Sequence, residues 1–114
     1  MSDGCIFCDI VAGRKPAVNV YEDEALLAIE DMYPRAPVHL LLMPKRHVPT
    51  LLDIQADDAA WVGAIPFVAN RLARERGIAD SGYRLVVNVN RGGGQAIFHV
   101  HFHLLGGRPL RWPP

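Results

Sequence analysis

The chain has 114 residues, half of them hydrophobic and 21% charged, which excludes a disordered polymer and fits one domain with a modest core. Twelve basic residues balance twelve acidic ones, so no cationic surplus points to nucleic acid or a membrane surface. No apolar run is long enough to span a bilayer and the N-terminus lacks the pattern of a secretory leader, so a cytoplasmic protein is expected.

Two cysteines stand at Cys5-Ile-Phe-Cys8. In a reducing compartment this spacing suggests metal ligation or redox chemistry rather than a structural disulfide. Cys5 to Ala12 reads as a short helix, with Ile6, Phe7, Ile10 and Val11 on one side and Gly13 ending it. A thioredoxin-type site would need a strand before the pair and a longer helix after it, and neither is available. Val18–Tyr21 and Ala25–Ile29 read as strands of a hairpin turning at Glu22-Asp-Glu24. Asp31 follows, then Met32-Tyr-Pro-Arg-Ala-Pro37, whose two prolines exclude regular structure. Asp31 has two readings, a turn cap or a ligand-binding carboxylate.

Val38-His-Leu-Leu-Leu-Met43 is the third strand, with His39 as its one polar member. Pro44 ends it, and His47 follows in a basic turn. Thr50–Ile54 is a connector. Asp57 to Arg76 is the one long helix: Trp61, Ile65, Val68 and Leu72 fall at helical spacing and face a core. Asp57 and Asp58 suit its N-terminal end, and Arg74 and Arg76 its C-terminal end. Pro66 removes one backbone donor and should bend this helix without dividing it. Tyr83–Asn88 is the fourth strand. In Asn90-Arg-Gly-Gly-Gly-Gln95 consecutive glycines let backbone N–H groups approach an anion, although a flexible hairpin loop looks the same.

The stretch Phe98–Gly107 carries His99, His101 and His103 two residues apart, with Val100, Phe102 and Leu104 between them. Alternation of this kind reads as a half-buried strand with imidazoles on one face and apolar groups on the other. Three groups that titrate near neutral pH at strand period point to chemistry. Either the three jointly ligate a metal, or one is a nucleophile oriented by the others. The proline-rich tail is neither strand nor helix, and Trp112 is expected to dock against other residues. The order of elements gives an α+β fold, an antiparallel sheet of five strands with one long helix on a face and one short N-terminal helix. The whole chain 1–114 reads as one domain, with a core over about 5–108 and a tail over 109–114.

His99-Val-His-Phe-His-Leu-Leu105 resembles the motif His-φ-His-φ-His-φ-φ of the histidine triad (HIT) family. Cys5-Ile-Phe-Cys8, Ala36-Pro-Val-His39, Pro44-Lys-Arg-His47, Gly82–Asn88 and Gly93-Gly-Gln95 resemble related segments of that family. The ending Leu105-Gly-Gly-Arg … Trp112-Pro-Pro114 is similar to the Hint branch, the purine nucleoside phosphoramidases. The resemblance implies a HIT-like fold. It also implies a nucleotide-binding hydrolase that cleaves adenosine 5′-phosphoramidates or related adenylates through a covalent nucleotidyl-histidine.

On that resemblance His101 is the nucleophile, the carbonyl of His99 fixes its tautomer, and His103 donates to a phosphate oxygen. His39 lies close behind the triad. The nucleotide-binding set is Asp31, Met32, Asn88, Gly94, Gln95, Ala96, His101 and His103. Asp31 would accept from the ribose hydroxyls, and the N–H groups of Gly94 to Ala96 would stabilise phosphate charge. Residues near Phe7, Ile10 and Ile29 would sandwich the purine. A structural Zn2+ would sit on Cys5, Cys8, His47 and His99; a metal shared by His99, His101 and His103 is the competing picture. No organic cofactor is implied, and a homodimer is.

Ala96 stands where many members of the branch have a serine thought to assist the leaving amine, and Arg91 where an acidic residue is common. Both place the leaving-group side in question. Two alternatives therefore stand beside phosphoramidate hydrolysis: a dinucleoside polyphosphate hydrolase, and a nucleotide-binding module with little catalysis.

Overall fold

A computed structural model describes residues 4–114. The strands are β1 (Asn19–Glu22), β2 (Leu26–Glu30), β3 (Val38–Pro44), β4 (Tyr83–Val87) and β5 (Phe102–Gly106). The helices are α1 (Ile6–Val11) and α2 (Ala59–Glu75), and short 3-10 turns precede α2 and lie in the glycine loop. The strands form one antiparallel sheet in the order β1-β2-β3-β5-β4. This is the α+β arrangement expected from the order of elements. In the first hairpin Asp23 Oδ1 accepts from the backbone N–H groups of Ala25 and Leu26, both at 2.8 Å. That turn sets the register of β2, and with it the face on which each residue of β3 falls.

The inner strands β2 and β3 are apolar on both faces, and each face has its own core. Against α2, Leu26, Ala28, Leu40, Leu42 and Leu104 pack with Trp61, Ile65, Val68, Ala69 and Leu72. Against α1, Leu27, Ile29, Leu41 and Met43 pack with Phe7. Alternation along β3 therefore puts His39 on the α1 face, with Leu41 and Met43. Pro66 lies inside α2, which runs as one helix, as expected.

The histidine strand begins later than its pattern suggests. The ladders from β5 to both neighbours start at Phe102, opposite Leu42 and Val87. Residues 98–101 lie outside the ladder: β4 ends at Val87, and the pairing of β3 with β5 stops at Leu42 although β3 runs on to Pro44 beside β2. Instead the N–H of Val100 donates to Val48 O at 2.7 Å. Of the three histidines only His103 sits within the ladder, yet the alternation persists along the run: Val100, Phe102 and Leu104 pack in the α2-side core, while His99 and His101 lie against Phe7 on the α1 face. At the other end Gly107 takes φ +90°, and a Cβ there would lie 2.9 Å from Pro37 Cβ; a side chain would block the turn out of the sheet. The expected docking of Trp112 does not occur within the chain. Its ring is 81% exposed, because the tail beyond Gly107 leaves the sheet and is tied back by polar contacts such as Arg84 to Arg111 O at 2.7 Å.

The buried Asp58 joins the start of α2 to the turn after β3. Its carboxylate accepts from the Gln55 N–H and the Trp61 indole N–H, both at 2.8 Å, and pairs with Arg46. These partners hold its pKa down at about 2, with Arg46 contributing most. A lowered carboxylate pKa stabilises the fold above the unfolded value near 3.8, and that stability is lost as pH falls toward 2. Urea midpoints measured from pH 5 to 2 should therefore fall more steeply for the native chain than for Asp58→Asn, and parallel curves would refute this role.

Candidate active site and metal centre

The four residues Cys5, Cys8, His47 and His99 come from the start of α1, the turn after β3 and the segment before β5. They place their ligand atoms within 4.8 Å of one another. Cys5 is the N-cap of α1 and Cys8 lies one turn on, so both sulfurs emerge on one side. His99 Nδ1 is 3.4 Å from Cys5 Sγ and 3.5 Å from Cys8 Sγ, and His47 Nδ1 is 3.3 Å from Cys8 Sγ. A tetrahedral zinc with ordinary Zn–N and Zn–S bonds has N···S edges of about 3.5 Å. The far side of His99 fits as well: Nε2 lies 2.7 Å from Pro44 O. A carbonyl only accepts, so Nε2 carries the proton and the Nδ1 lone pair faces the sulfurs, as a metal-ligating histidine requires.

A different logic governs His101. Its Nδ1 lies 2.8 Å from the carbonyl of His99, so the neutral ring carries its proton on Nδ1 and leaves a lone pair on Nε2. His99 is fully buried, whereas His101 keeps 9% exposure. Phe7 packs edge-on against His101 with ring centroids 5.0 Å apart, and His103 lies 5.0 Å away on another side.

The third group is a chain of hydrogen bonds with one direction. The Arg35 N–H donates to His39 Nδ1 at 3.0 Å. Nε2 of a neutral His39 is then the protonated nitrogen, and it donates to His103 Nδ1 at 2.9 Å. His103 in turn carries its proton on Nε2. Asp31 Oδ2 lies 3.4 Å from His39 Nε2, while Oδ1 caps its own turn by accepting from the Tyr33 N–H at 2.7 Å. Asp31 thus both closes a turn and faces the histidines. Asp31, His39 and His103 are close enough to surround a cation, but the Nδ1 lone pair of His39 is already used by Arg35. A metal on Nε2 would displace the ring's only proton. These three form a proton-bearing relay, not a metal site.

The competing picture of one metal on His99, His101 and His103 is overturned. The Nδ1 atoms of the three rings face the cysteines, a backbone carbonyl and His39 respectively. Burial pushes the pKa of all four inner histidines down. His103 is lowered to about 4, with neighbouring His101 and His39 adding to the effect of burial. Neutral rings at neutral pH are what the hydrogen-bond directions above require.

The glycine loop is pinned from inside. Gln95 is buried, and its amide donates to Pro49 O at 2.7 Å and Ile97 O at 3.0 Å while accepting from the Asn90 N–H at 2.8 Å. Asn88 donates to Gly93 O at 2.7 Å. The N–H of Gly94 donates to Arg91 O, and that of Gln95 to Asn90 O. The expected cradle of N–H groups from Gly94 to Ala96 is therefore narrower than the sequence suggests: only the N–H of Ala96 has no acceptor among the described residues. Met32 is 74% exposed beside Asp31. Phe7 and Ile29 are buried in the α1-side core, so of the three residues expected to enclose a purine only Ile10 is half-exposed. Sequence reasoning missed Pro44 O and the Arg35 N–H, because backbone groups leave no mark in a residue pattern. It placed Phe7 near the purine and did not foresee its edge-on packing against the ring of His101.

The HIT domain model matches residues 12–110. The chain is 43% identical over 110 residues to the purine nucleoside phosphoramidase of Escherichia coli (strain K12), covering 96% of this chain and 92% of that one. The fold superposes on a HIT family hydrolase from Legionella pneumophila Philadelphia 1 with a TM-score of 0.94, at 49% identity, covering 97% and 99% of the two chains. It also superposes on a zinc-bound histidine triad family protein from Mycobacterium smegmatis with a TM-score of 0.80, at 34% identity, covering 92% and 76%. A motif of three histidines, a five-stranded sheet that presents it, and relatives spanning nearly the full length all lead to one assignment: this chain belongs to the HIT domain family.

Proposed function

We propose that the protein is a nucleotide hydrolase that cleaves purine nucleoside 5′-phosphoramidates, or related adenylates, to the nucleoside monophosphate. The observation that carries this reading is the 2.8 Å contact between His101 Nδ1 and His99 O. It leaves a nucleophilic lone pair on Nε2 of a ring that burial keeps neutral. The E. coli relative with 43% identity, named a purine nucleoside phosphoramidase, supports the substrate class.

His101 Nε2 attacks the phosphorus as the P–N bond breaks. The amine leaves with a proton drawn from water, and a nucleotidyl-histidine forms. Attack by a second water breaks the N–P bond, returns the proton and frees the monophosphate. His103 Nε2–H and the N–H of Ala96 donate to the phosphate oxygens as charge builds on them, helped by the second amide proton of Asn88. Backbone contacts to phosphate from Gly94 and Gln95 would have to be shared with the bonds inside the turn. Asp31 accepts from the ribose hydroxyls, with Met32 beside it, and His39 keeps His103 in its donating tautomer.

Replacing His101 by Ala should lower turnover of adenosine phosphoramidate by at least about a thousandfold while AMP binding stays measurable by calorimetry. Ordinary turnover by that variant would reject the mechanism.

Cys5, Cys8, His47 and His99 would hold a zinc ion. Bound there, zinc supplies a structural cross-link between α1 and the sheet. Removing it with a chelator should lower the melting temperature, and zinc alone among added cations at micromolar level should restore it. An unchanged melting curve on chelation would count against a structural metal. A homodimer is the expected assembly. The strand β4 lies at a sheet edge with half-buried residues, and Phe67 on α2 is 77% exposed. A one-chain mass in sedimentation equilibrium would rule that assembly out.

A further inference from the structure

The thiols of the metal cluster are not sealed. Cys8 is buried, but Cys5 is half-buried and, with half-buried His47, lines a cavity of about 350 Å3 beside the glycine loop. Its mouth is flanked by Ile6 and Phe98, both partly exposed. Cys5 is therefore the cysteine through which a small neutral oxidant would enter the cluster. The second sulfur is already at hand: Cys5 Sγ accepts from the backbone N–H of Cys8 at 3.3 Å, and the two sulfurs lie within 4.8 Å. Closing them to a bond of about 2.05 Å requires side-chain rotations. Those rotations draw Cys5 away from His99 and Cys8 away from both His47 and His99.

We propose that Cys5 and Cys8 are a modification site for hydrogen peroxide, and that closing them into a disulfide expels the metal and loosens the packing of Phe7 on His101. This inference rests on the metal-ligand reading of the four residues, and not on the identity of the nucleotide substrate. One thiolate attacks the peroxide O–O bond and becomes a sulfenic acid as water leaves. The second thiolate attacks that sulfur, the S–S bond forms and a second water leaves. The two sulfurs lose two electrons, the peroxide gains them, and two protons come from solvent. A disulfide sulfur is not a thiolate ligand, so only two imidazoles remain and the metal is released.

The consequence reaches the catalytic centre through one side chain. Phe7 sits between the two cysteines, with its ring 5.8 Å from His99 and 5.0 Å from His101. Phe7 directly precedes Cys8 in the chain, so a backbone adjustment of the first turn of α1 on S–S closure would reach that ring. The carbonyl of His99 that orients His101 belongs to a residue which loses its metal in the same event.

The test uses the reduced, zinc-loaded full chain titrated with hydrogen peroxide. Three readouts are followed: free zinc by a chromogenic chelator, intact mass, and the His101 ring signals by NMR. Zinc should be released one-for-one as the mass falls by about 2 Da. The His101 signals should shift, and thiol reductant plus zinc should reverse all three. Zinc retained while peroxide is consumed would overturn the inference, as would a gain of oxygen atoms without a disulfide, or His101 signals that stay in place. A reduced protein that takes up no zinc would overturn it together with the metal reading. Turnover of adenosine phosphoramidate plays no part in these readouts, so a wrong substrate class leaves the outcome unaffected.

Discussion

One residue, His99, holds the two halves of the site in register. Its Nε2–H bonds to the last carbonyl of β3, its Nδ1 faces the two cysteines of α1, and its own carbonyl receives the proton of His101. A fully buried imidazole with every polar atom partnered has one low-energy orientation, since any other would leave a donor or acceptor without water. That orientation fixes the backbone of residues 98–101 where no strand ladder can do so. The tautomer of the neighbouring ring then follows from geometry.

The same rule, that a carbonyl only accepts and an N–H only donates, sorts four of the histidines into three kinds. His99 presents a lone pair to the sulfurs, and His47 sets its Nδ1 beside Cys8 Sγ. His101 presents a lone pair outward on Nε2. His39 and His103 pass a donor direction from the Arg35 N–H to the open edge of the site. Burial lowers the pKa of the inner four and keeps them neutral near pH 7, which is the state each of these roles needs. A charged His101 would have no lone pair, and a charged His39 could not accept from Arg35. Low dielectric surroundings and hydrogen-bond direction thus act together, and neither alone would give one relay and one ligand cluster side by side.

The glycine loop is stiff where its composition suggested freedom. Asn88, Asn90 and Gln95 use side chains and backbone to close it on itself, and Asn90 accepts a positive φ of 58° to do so. In this pre-closed loop the N–H groups of Gly94 and Gln95 are spent within the turn, so among residues 94–96 of the described chain only that of Ala96 is left for a phosphate.

Much of this was readable from residue order. Alternation, turn residues and helical spacing were enough for five strands, two helices and an antiparallel sheet, because each rests on local sterics and on a period the eye can count. The chemistry of thiolate and imidazole pointed to a set of two cysteines and two histidines, and the resemblance to the HIT family assigned it to Cys5, Cys8, His47 and His99, whose ligand atoms the fold brings together. What residue order could not decide was direction. The period-two histidine run implied one face, which holds, but its first half lies outside the ladder, so His99 is oriented by the distant carbonyl of Pro44 and His101 by the carbonyl of His99. Phe7 packs edge-on against His101 from a core position, and the glycine N–H groups looked free and are mostly bonded within the turn. Hydrogen-bond partners are set by where distant backbone comes to rest, and only the folded chain determines that.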